Sequence, residues 1–435
     1  MARFPRVQSK ATVLGLAAAL TLAGLGTGFM RVPAATSASK KVVLTLWWPN
    51  AANGDPSEVA VYDALQLWNK NNPNIQVQPT VMPYSQIQTK VTLAATTHQL
   101  PDMAVTLPGL ISQYYDMHIL DNLSPYLNGW AGKSQVYNAV WRAVTINGKI
   151  MAMPQYTDVR ALLYHTNDFA KAGITTPPKT WAQLIADGLK LKQKGIAPYG
   201  ITGTGVREPQ ELFAYIVESG TNIANRMPDG KYRNIWATNS AALKDAAAVF
   251  QFYATMRKDG LITAQQASWH WKNLDSNFAL GNIAMAQEGP WMATYSLKDY
   301  PQMKNVAIAP LPTDNKPVTF LEVNTMSVFK GAKHIKDIVK FLKWWVSPAA
   351  QKIAYPSESV NVHVVPNTKW GLGFAKLINT GRPFPNVSMS SIEQQMMYAV
   401  QYVVLNQKTP QATALWLSQQ VNNDLQASGE LSPQK

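Results

Sequence analysis

Val42-Val-Leu-Thr-Leu-Trp47 is a short apolar run, and the segments that follow it decide the fold class. After the polar stretch from Pro49 to Pro56, Val59, Tyr62, Leu65 and Trp68 recur at helical spacing up to Asn69. That helix stops at Asn71-Asn72-Pro73, and Ile75-Gln-Val-Gln78 alternates as a second strand. Tyr84 to Thr97 reads as another amphipathic helix, and Pro101-Asp102 leads into a third strand, Met103-Ala-Val-Thr-Leu107. Strand and helix in alternation predict an α/β fold, a parallel sheet with helices on both faces. Such sheets bind ligands beyond the carboxyl ends of their strands, which makes Trp48, Asn50 and Thr106 candidate site residues.

The whole chain has 435 residues, too many for one ordinary domain and comfortable for two. Only 15% of residues are charged, against about 25% in a typical soluble domain. Gln occurs 28 times, more often than the 25 Asp and Glu together, so neutral amides and hydroxyls must wet the surface. The net charge of +14 therefore comes from scarce acids and not from crowded bases. Short pairs such as Lys40-Lys41 make no basic stripe, and nucleic acid is not an expected partner. The absence of cysteine excludes thiol catalysis, thiolate metal sites, disulfides and a lipid-bearing cysteine anchor.

At the N-terminus Arg3, Arg6 and Lys10 precede an uncharged run from Ala11 to Met30, and small residues follow. This is the pattern of a secretory signal peptide over residues 1–38, cleaved after Ala38; an uncleaved membrane anchor is the alternative. Cleavage removes four positive charges, Arg3, Arg6, Lys10 and Arg31, and takes the net charge from +14 to +10. The expected location is outside the cytoplasmic membrane.

Six blocks occur in a characteristic order: Leu44-Thr-Leu-Trp-Trp48; Leu67-Trp-Asn-Lys-Asn-Asn-Pro-Asn-Ile-Gln-Val77; Leu100-Pro-Asp-Met103; Asn147-Gly-Lys-Ile-Met-Ala-Met-Pro154 running on to Ala161–Phe169 and then Ala172–Trp181; Phe278–Met285 closing on Gly289-Pro-Trp291; and Ile338–Pro348 with Ala350-Gln351. Together they resemble the extracellular solute-binding proteins of ABC transporters, in the carbohydrate-binding family that includes maltose-binding protein. The resemblance covers residues 42–425. It implies a type II periplasmic-binding-protein-like fold: two α/β lobes, each a mainly parallel sheet flanked by helices, with the ligand cleft between them. The implied N-lobe is 40–154 plus 312–358 and the C-lobe 155–311 plus 359–435. Crossing segments would lie near Met153–Tyr156, Ala309–Pro312 and Ser359–Val362. The implied ligand is an oligosaccharide, the implied partner an ABC permease, and the mature protein is expected to be a monomer peripheral to the membrane. The residues alone support two details: Asn147-Gly148 is a tight hairpin turn, and Thr180 caps a helix running to Lys194.

A sugar offers an apolar C–H face to aromatic rings and a rim of hydroxyls to carboxylates, amides and Arg. Of the 14 tryptophans, Trp68, Trp130, Trp141, Trp181, Trp344 and Trp345 fall in predicted helices or their caps and are assigned to packing. The family's matching Gly-Pro-Trp supplies a stacking ring, so the resemblance gives that role to Trp291. Glu208-Pro209-Gln210 resembles a Glu-Pro-Tyr segment of the family, with Glu208 accepting from a hydroxyl and Gln210 standing where the family stacks a Tyr. Asp158 reads equally as a sugar-binding carboxylate and as a helix or hinge cap. Tyr156 at the first crossing, and Glu322 and Asn324 where the chain returns to the N-lobe, complete the candidate set. Trp269 and Trp271, in a predicted loop, line the cleft or pack. The Asp102 carboxylate is expected to be structural. Thr106-Leu-Pro-Gly109 lacks the Trp and Asp-Arg pair that hold maltose in the family.

Other chemistries lack their motifs. Gly132-Lys133-Ser134 is preceded by Leu127 where a phosphate loop needs Gly, and the six His have no metal-ligand spacing. No cofactor, metal or catalytic residue is expected. Two alternatives remain: the same fold carrying a polyamine, a glycerol phosphate or a peptide, and a secreted glycoside hydrolase drawing a carboxyl pair from Asp158, Glu208, Glu288 and Glu322.

Overall fold

In the computed structural model the described residues are 41–49, 56–107, 109–205, 207–295 and 297–433. Asn50 and the predicted signal peptide lie outside them. Strand β1 (Val42–Trp48) alternates: Leu44, Leu46 and Trp48 are buried on one face, while Val43 and Thr45 are exposed. Helix α1 (Pro56–Asn71) leads to β2 (Ile75–Val81), and α2 (Tyr84–Thr96) to β3 (Met103–Thr106). β1 lies between β2 and β3 and is parallel to both, with Val42 opposite Ile75 and Leu46 opposite Met103. At its start Asp102 accepts hydrogen bonds from the Thr45 backbone N–H at 2.8 Å and its hydroxyl at 2.9 Å, which ties β3 to β1. The hairpin turn occurs at Asn147-Gly148, both with positive φ, 49° and 75°.

The run Met153–His165 is extended almost throughout and belongs to two sheets. Its first part, β4 (Met153–Val159), lies antiparallel to a long strand of the first sheet; after Arg160, β5 (Ala161–His165) enters the second sheet. Helix α3 (Trp181–Gln193) follows, capped by the Thr180 hydroxyl, which accepts from the Gln183 N–H. Strand β6 (Tyr199–Gly200) precedes α4 (Arg207–Ser219), a helix buried on nearly every side, and then come α5 (Ser240–Lys258) and α6 (Trp271–Ala279). Strands β7 (Met285–Glu288) and β8 (Val306–Ala309) complete the second sheet in the order β8-β5-β7-β6. The chain then returns through β9 (Thr319–Val328) to the first sheet, which reads β10-β9-β3-β1-β2 with β10 at Gly381–Arg382 and β4 also on β9. Helix α7 (Ile335–Trp345) covers that sheet, while α8 (Met389–Val404) and α9 (Pro410–Ala427) pack with α4 and α5.

The first sheet is parallel at β2-β1-β3, as the alternation predicts, and β9 runs against β3. The second sheet departs from a mainly parallel arrangement. β5 is antiparallel to both β7 and β8, and only β6 and β7 are parallel. The chain enters that sheet by continuing β4 and not through a crossover helix, so β5 meets later strands running against it.

Two hydrophobic cores follow. One gathers β1, β3, α1 and α7 around Trp68, whose ring centroid is 5.3 Å from Phe341 and 5.4 Å from Trp344. The other surrounds α4, with Phe213, Tyr215, Phe250 and Phe252.

Candidate ligand-binding site

Register brings four of the candidates together. In the β4–β9 ladder Asp158 lies opposite Glu322 and Tyr156 opposite Asn324, so all four occupy one strand pair. Two carboxylates facing each other across a ladder repel, and a third group must hold them. Arg160, two residues beyond Asp158, does so. Its guanidinium donates to Asp158 Oδ1 at 2.6 Å, to Glu322 Oε2, and to Gln210 Oε1 from the first turn of α4. Arg160 is 1% exposed. Burial opposes its charge, but Glu322 and Asp158 outweigh that and raise its pKa. Burial and then Glu322 push Asp158 up to about 7 against the pull of Arg160.

A second guanidinium enters from the start of α4. Arg207 donates to Glu288 at 2.8 Å on β7 and to Asp275 on α6. Glu211, one turn further along α4, is 2% exposed, and burial followed by the charge of Glu208 raises its pKa well above the carboxylate range. Glu208 is fully buried and accepts from the Thr202 and Tyr253 hydroxyls, both at 3.3 Å.

Trp291 stands between these groups. The Arg160 guanidinium carbon is 4.5 Å from its ring centroid and that of Arg207 is 4.1 Å, both within cation–π range. Its indole folds back over Gly289, where a Cβ would sit 1.8–2.4 Å from the ring atoms; only glycine leaves that space. Trp271 opens α6 and does not lie in a loop, with the Arg207 guanidinium 5.8 Å from its centroid. Trp269 is partly buried, and its carbonyl accepts from the Gly203 and Thr204 N–H groups and the Thr204 hydroxyl. Tyr156 stacks on Tyr355 at 4.8 Å.

Three expectations are corrected. Trp48 does not face a ligand: it shares the inward face of β1 with Leu44 and Leu46, is 0% exposed, and meets Trp345 edge-on at 5.5 Å. Thr106 is likewise internal, its hydroxyl 2.6 Å from that of Thr325 and 2.8 Å from that of Ser327 on β9. Asp158 is a strand residue and caps no helix. The sequence reading passed over Arg160, Arg207, Glu211 and Asp275. Strand period carries a signal for Arg160, which shares a face with Asp158; helix period carries one for Arg207 and Glu211, which flank Glu208-Pro-Gln210 at i and i+4.

Two cavities of about 740 and 460 Å³ lie beside the Asn147-Gly148 hairpin, the smaller one reaching Arg226, Tyr232 and Glu430; neither is lined by Arg160 or Trp291. Among the described residues no group of His, Asp and Glu could hold a metal ion, and no helix is long and apolar enough to cross a membrane.

The family model for bacterial extracellular solute-binding protein matches residues 48–352. This chain belongs to that family. A putative binding protein of Brucella abortus is 24% identical over 324 residues, covering 74% of this chain and 75% of that one. In three dimensions the chain is similar to the GacH receptor of Streptomyces glaucescens (TM-score 0.74, 18% identity, 89% of this chain and 99% of that one). It is similar as well to an ABC transporter solute-binding protein of Thermotoga lettingae (0.73, 21%, 88% and 100%). The solute-binding fold of these neighbours has two lobes, and in this member Arg160 joins β4 and β9 of the first sheet to α4, from which Arg207 reaches β7 of the second.

Proposed function

We propose that this protein captures an oligosaccharide at the Arg160–Trp291 cluster and delivers it to an ABC permease without altering it. One observation carries the reading: an aromatic ring, two guanidiniums and several carboxylates converge where strands of the first sheet meet helix α4 and strand β7. Ring stacking suits the C–H face of a sugar, and forked donors with carboxylate acceptors suit its hydroxyl rim. The two structural neighbours were solved with acarbose and with α-D-tagatose, which fits a carbohydrate cargo.

The guanidiniums now lie over the Trp291 ring, where a sugar face would stack. Binding then requires the groups to part and re-form around the ligand, a closure about the segments that change sheet, at Arg160 and between Ala309 and Thr319. The expected lobes, 40–154 plus 312–358 and 155–311 plus 359–435, shift at their edges on this reading, because β4 through Val159 and β10 at Gly381–Arg382 go with the first sheet. We take the mature protein to be an exported monomer beginning at Ser39, with no lipid anchor.

Calorimetry with malto-, xylo-, cello- and manno-oligosaccharides tests the reading. Saturable binding of at least one series with no release of product from chromogenic glycosides is expected. Turnover of a glycoside, or binding confined to a non-sugar solute, would overturn it.

A further inference from the structure

The distribution of acids in this chain is uneven. Only 25 Asp and Glu occur in 435 residues, and the net charge is +14. Five of those acids (Asp158, Glu211, Asp275, Glu288 and Glu322) nevertheless act on the same two guanidiniums, and Glu208 lies beside Glu211. Each guanidinium is already shared by two carboxylates: Arg160 by Asp158 and Glu322, Arg207 by Asp275 and Glu288. Glu208 and Glu211 are then left without a cation of their own; the charges acting on Glu211 are Glu208 and Asp275 on one side and the shared arginines on the other. A chain poor in acids thus gathers several of them at one site.

A second observation, independent of the count, concerns hydrogen bonding. Among the described residues, three buried acceptor oxygens of this cluster have no partner: Glu211 Oε1, Glu288 Oε1 and Asn324 Oδ1. Their residues are 2%, 0% and 0% exposed. The Asn324 amide belongs to the cluster because its Nδ2 donates to Glu322 Oε1 at 3.1 Å. Buried polar atoms are almost always paired, and burial, which raises the pKa of Glu211 and of Glu288, is opposed by added donors or a cation. A sugar hydroxyl brings a single donor, and its acceptor lone pairs suit the unpaired buried donors of the cluster, Arg160 Nε and Trp291 Nε1, rather than carboxylate oxygens. An ammonium brings three donors, no acceptor and a positive charge. The tryptophan faces point the same way, since Trp291 and Trp271 already draw guanidiniums and the ring quadrupole favours cations.

We propose that the ligand held at this site is an amino sugar or an oligosaccharide of amino sugars, with its protonated amine seated against Glu211 and Glu288. The proposal rests on the sugar-capture reading above and adds the charge of the cargo.

The test is calorimetry on the full mature protein at pH 6.0, with probes that differ only at carbon 2. Glucosamine is compared with glucose, and the β-1,4 glucosamine trimer with cellotriose and with the N-acetylglucosamine trimer. Spermidine is the non-sugar control. The amine-bearing member is expected to bind at least about tenfold more tightly than its neutral partners in the monomer or the trimer set. Glu211→Gln is expected to shrink that ratio severalfold; Glu288→Gln serves as the second variant if the first fails to fold. Equal or tighter binding of the neutral members would overturn the proposal and leave sugar capture standing. So would binding found only among the neutral oligosaccharides of the wider panel. Spermidine binding with every sugar silent would overturn both. A ratio unchanged in both variants would overturn the assignment to Glu211 and Glu288.

Discussion

Arg160→Ala removes the guanidinium that bonds both Asp158 and Glu322, and its cost can be worked from the ladder. Residues directly opposite in an antiparallel pair have Cβ atoms about 5 Å apart. Two unit charges at that separation repel by about 3 kcal/mol at an effective dielectric near 20. Gln210 Oε1 also loses its donor, and breaking a buried pair by deleting one partner typically costs about 3–5 kcal/mol. The loss should depend on pH, because Asp158 is held near 7 and can take up a proton once the arginine is gone. We therefore expect a loss of about 3–5 kcal/mol at pH 8 and roughly half of that at pH 5.5. With an unfolding entropy of about 2 cal/mol/K per residue over roughly 400 residues, the pH 8 loss corresponds to about 4–6 °C. Urea denaturation and thermal melts of wild type, Arg160→Ala and Arg160→Lys at both pH values measure it, with the lysine variant intermediate because it restores the charge but not the fork. Wild-type stability of Arg160→Ala at pH 8 would refute the reasoning, and so would a loss that is the same at both pH values.

Other consequences follow from the same contacts. Trp68→Ala opens a cavity against Phe341 and Trp344 and should cost about 3–5 kcal/mol by urea melts, while the folded fraction binds ligand normally in calorimetry. Asp158 is raised from 3.8 to about 7 by burial and Glu322, and Glu393 from 4.5 to about 8 by burial and Glu322. A carboxyl whose folded pKa is raised stabilises the protein below its unfolded pKa and loses that contribution as pH rises through the folded value. The ligand-free melting temperature should therefore fall between about pH 4 and pH 8 in a calorimetric pH series, less steeply in Asp158→Asn. Gly289→Ala places a methyl group inside the present volume of the Trp291 indole, so the ring must swing off the two guanidiniums. We expect about tenfold weaker ligand binding by calorimetry and a nearly unchanged melt.

Much of the first sheet was legible because its signals are local. Leu65 and Trp68 keep helical period and β1 alternates; outside that sheet, Asn147-Gly148 turns the chain at the residues expected. Trp48 shows where the reading stopped short. Its position at a strand end suggested a ligand contact, yet strand parity with Leu44 and Leu46 already sent it into the core. The antiparallel pairing of β5 in the second sheet was hidden because its partner strands lie more than a hundred residues later, which no local period reports. Arg160 was overlooked for a related reason. An isolated arginine carries no motif, and its importance comes from Glu322 and Gln210, 162 and 50 residues away. Conversely, Asp158 and Glu322 were each singled out separately, and only the β4–β9 register shows that they are opposite neighbours.

Trp291→Ala in isothermal titration calorimetry tests the central claim most directly. If the indole between Arg160 and Arg207 is the stacking platform for a captured sugar, its removal should weaken binding of the best-binding sugar by roughly 1–3 kcal/mol, about 5- to 150-fold. The melting temperature should change little, because the ring is only partly buried. Undiminished sugar affinity together with an early melt would contradict the account, making Trp291 a packing residue and leaving the guanidinium–carboxylate cluster without its proposed cargo.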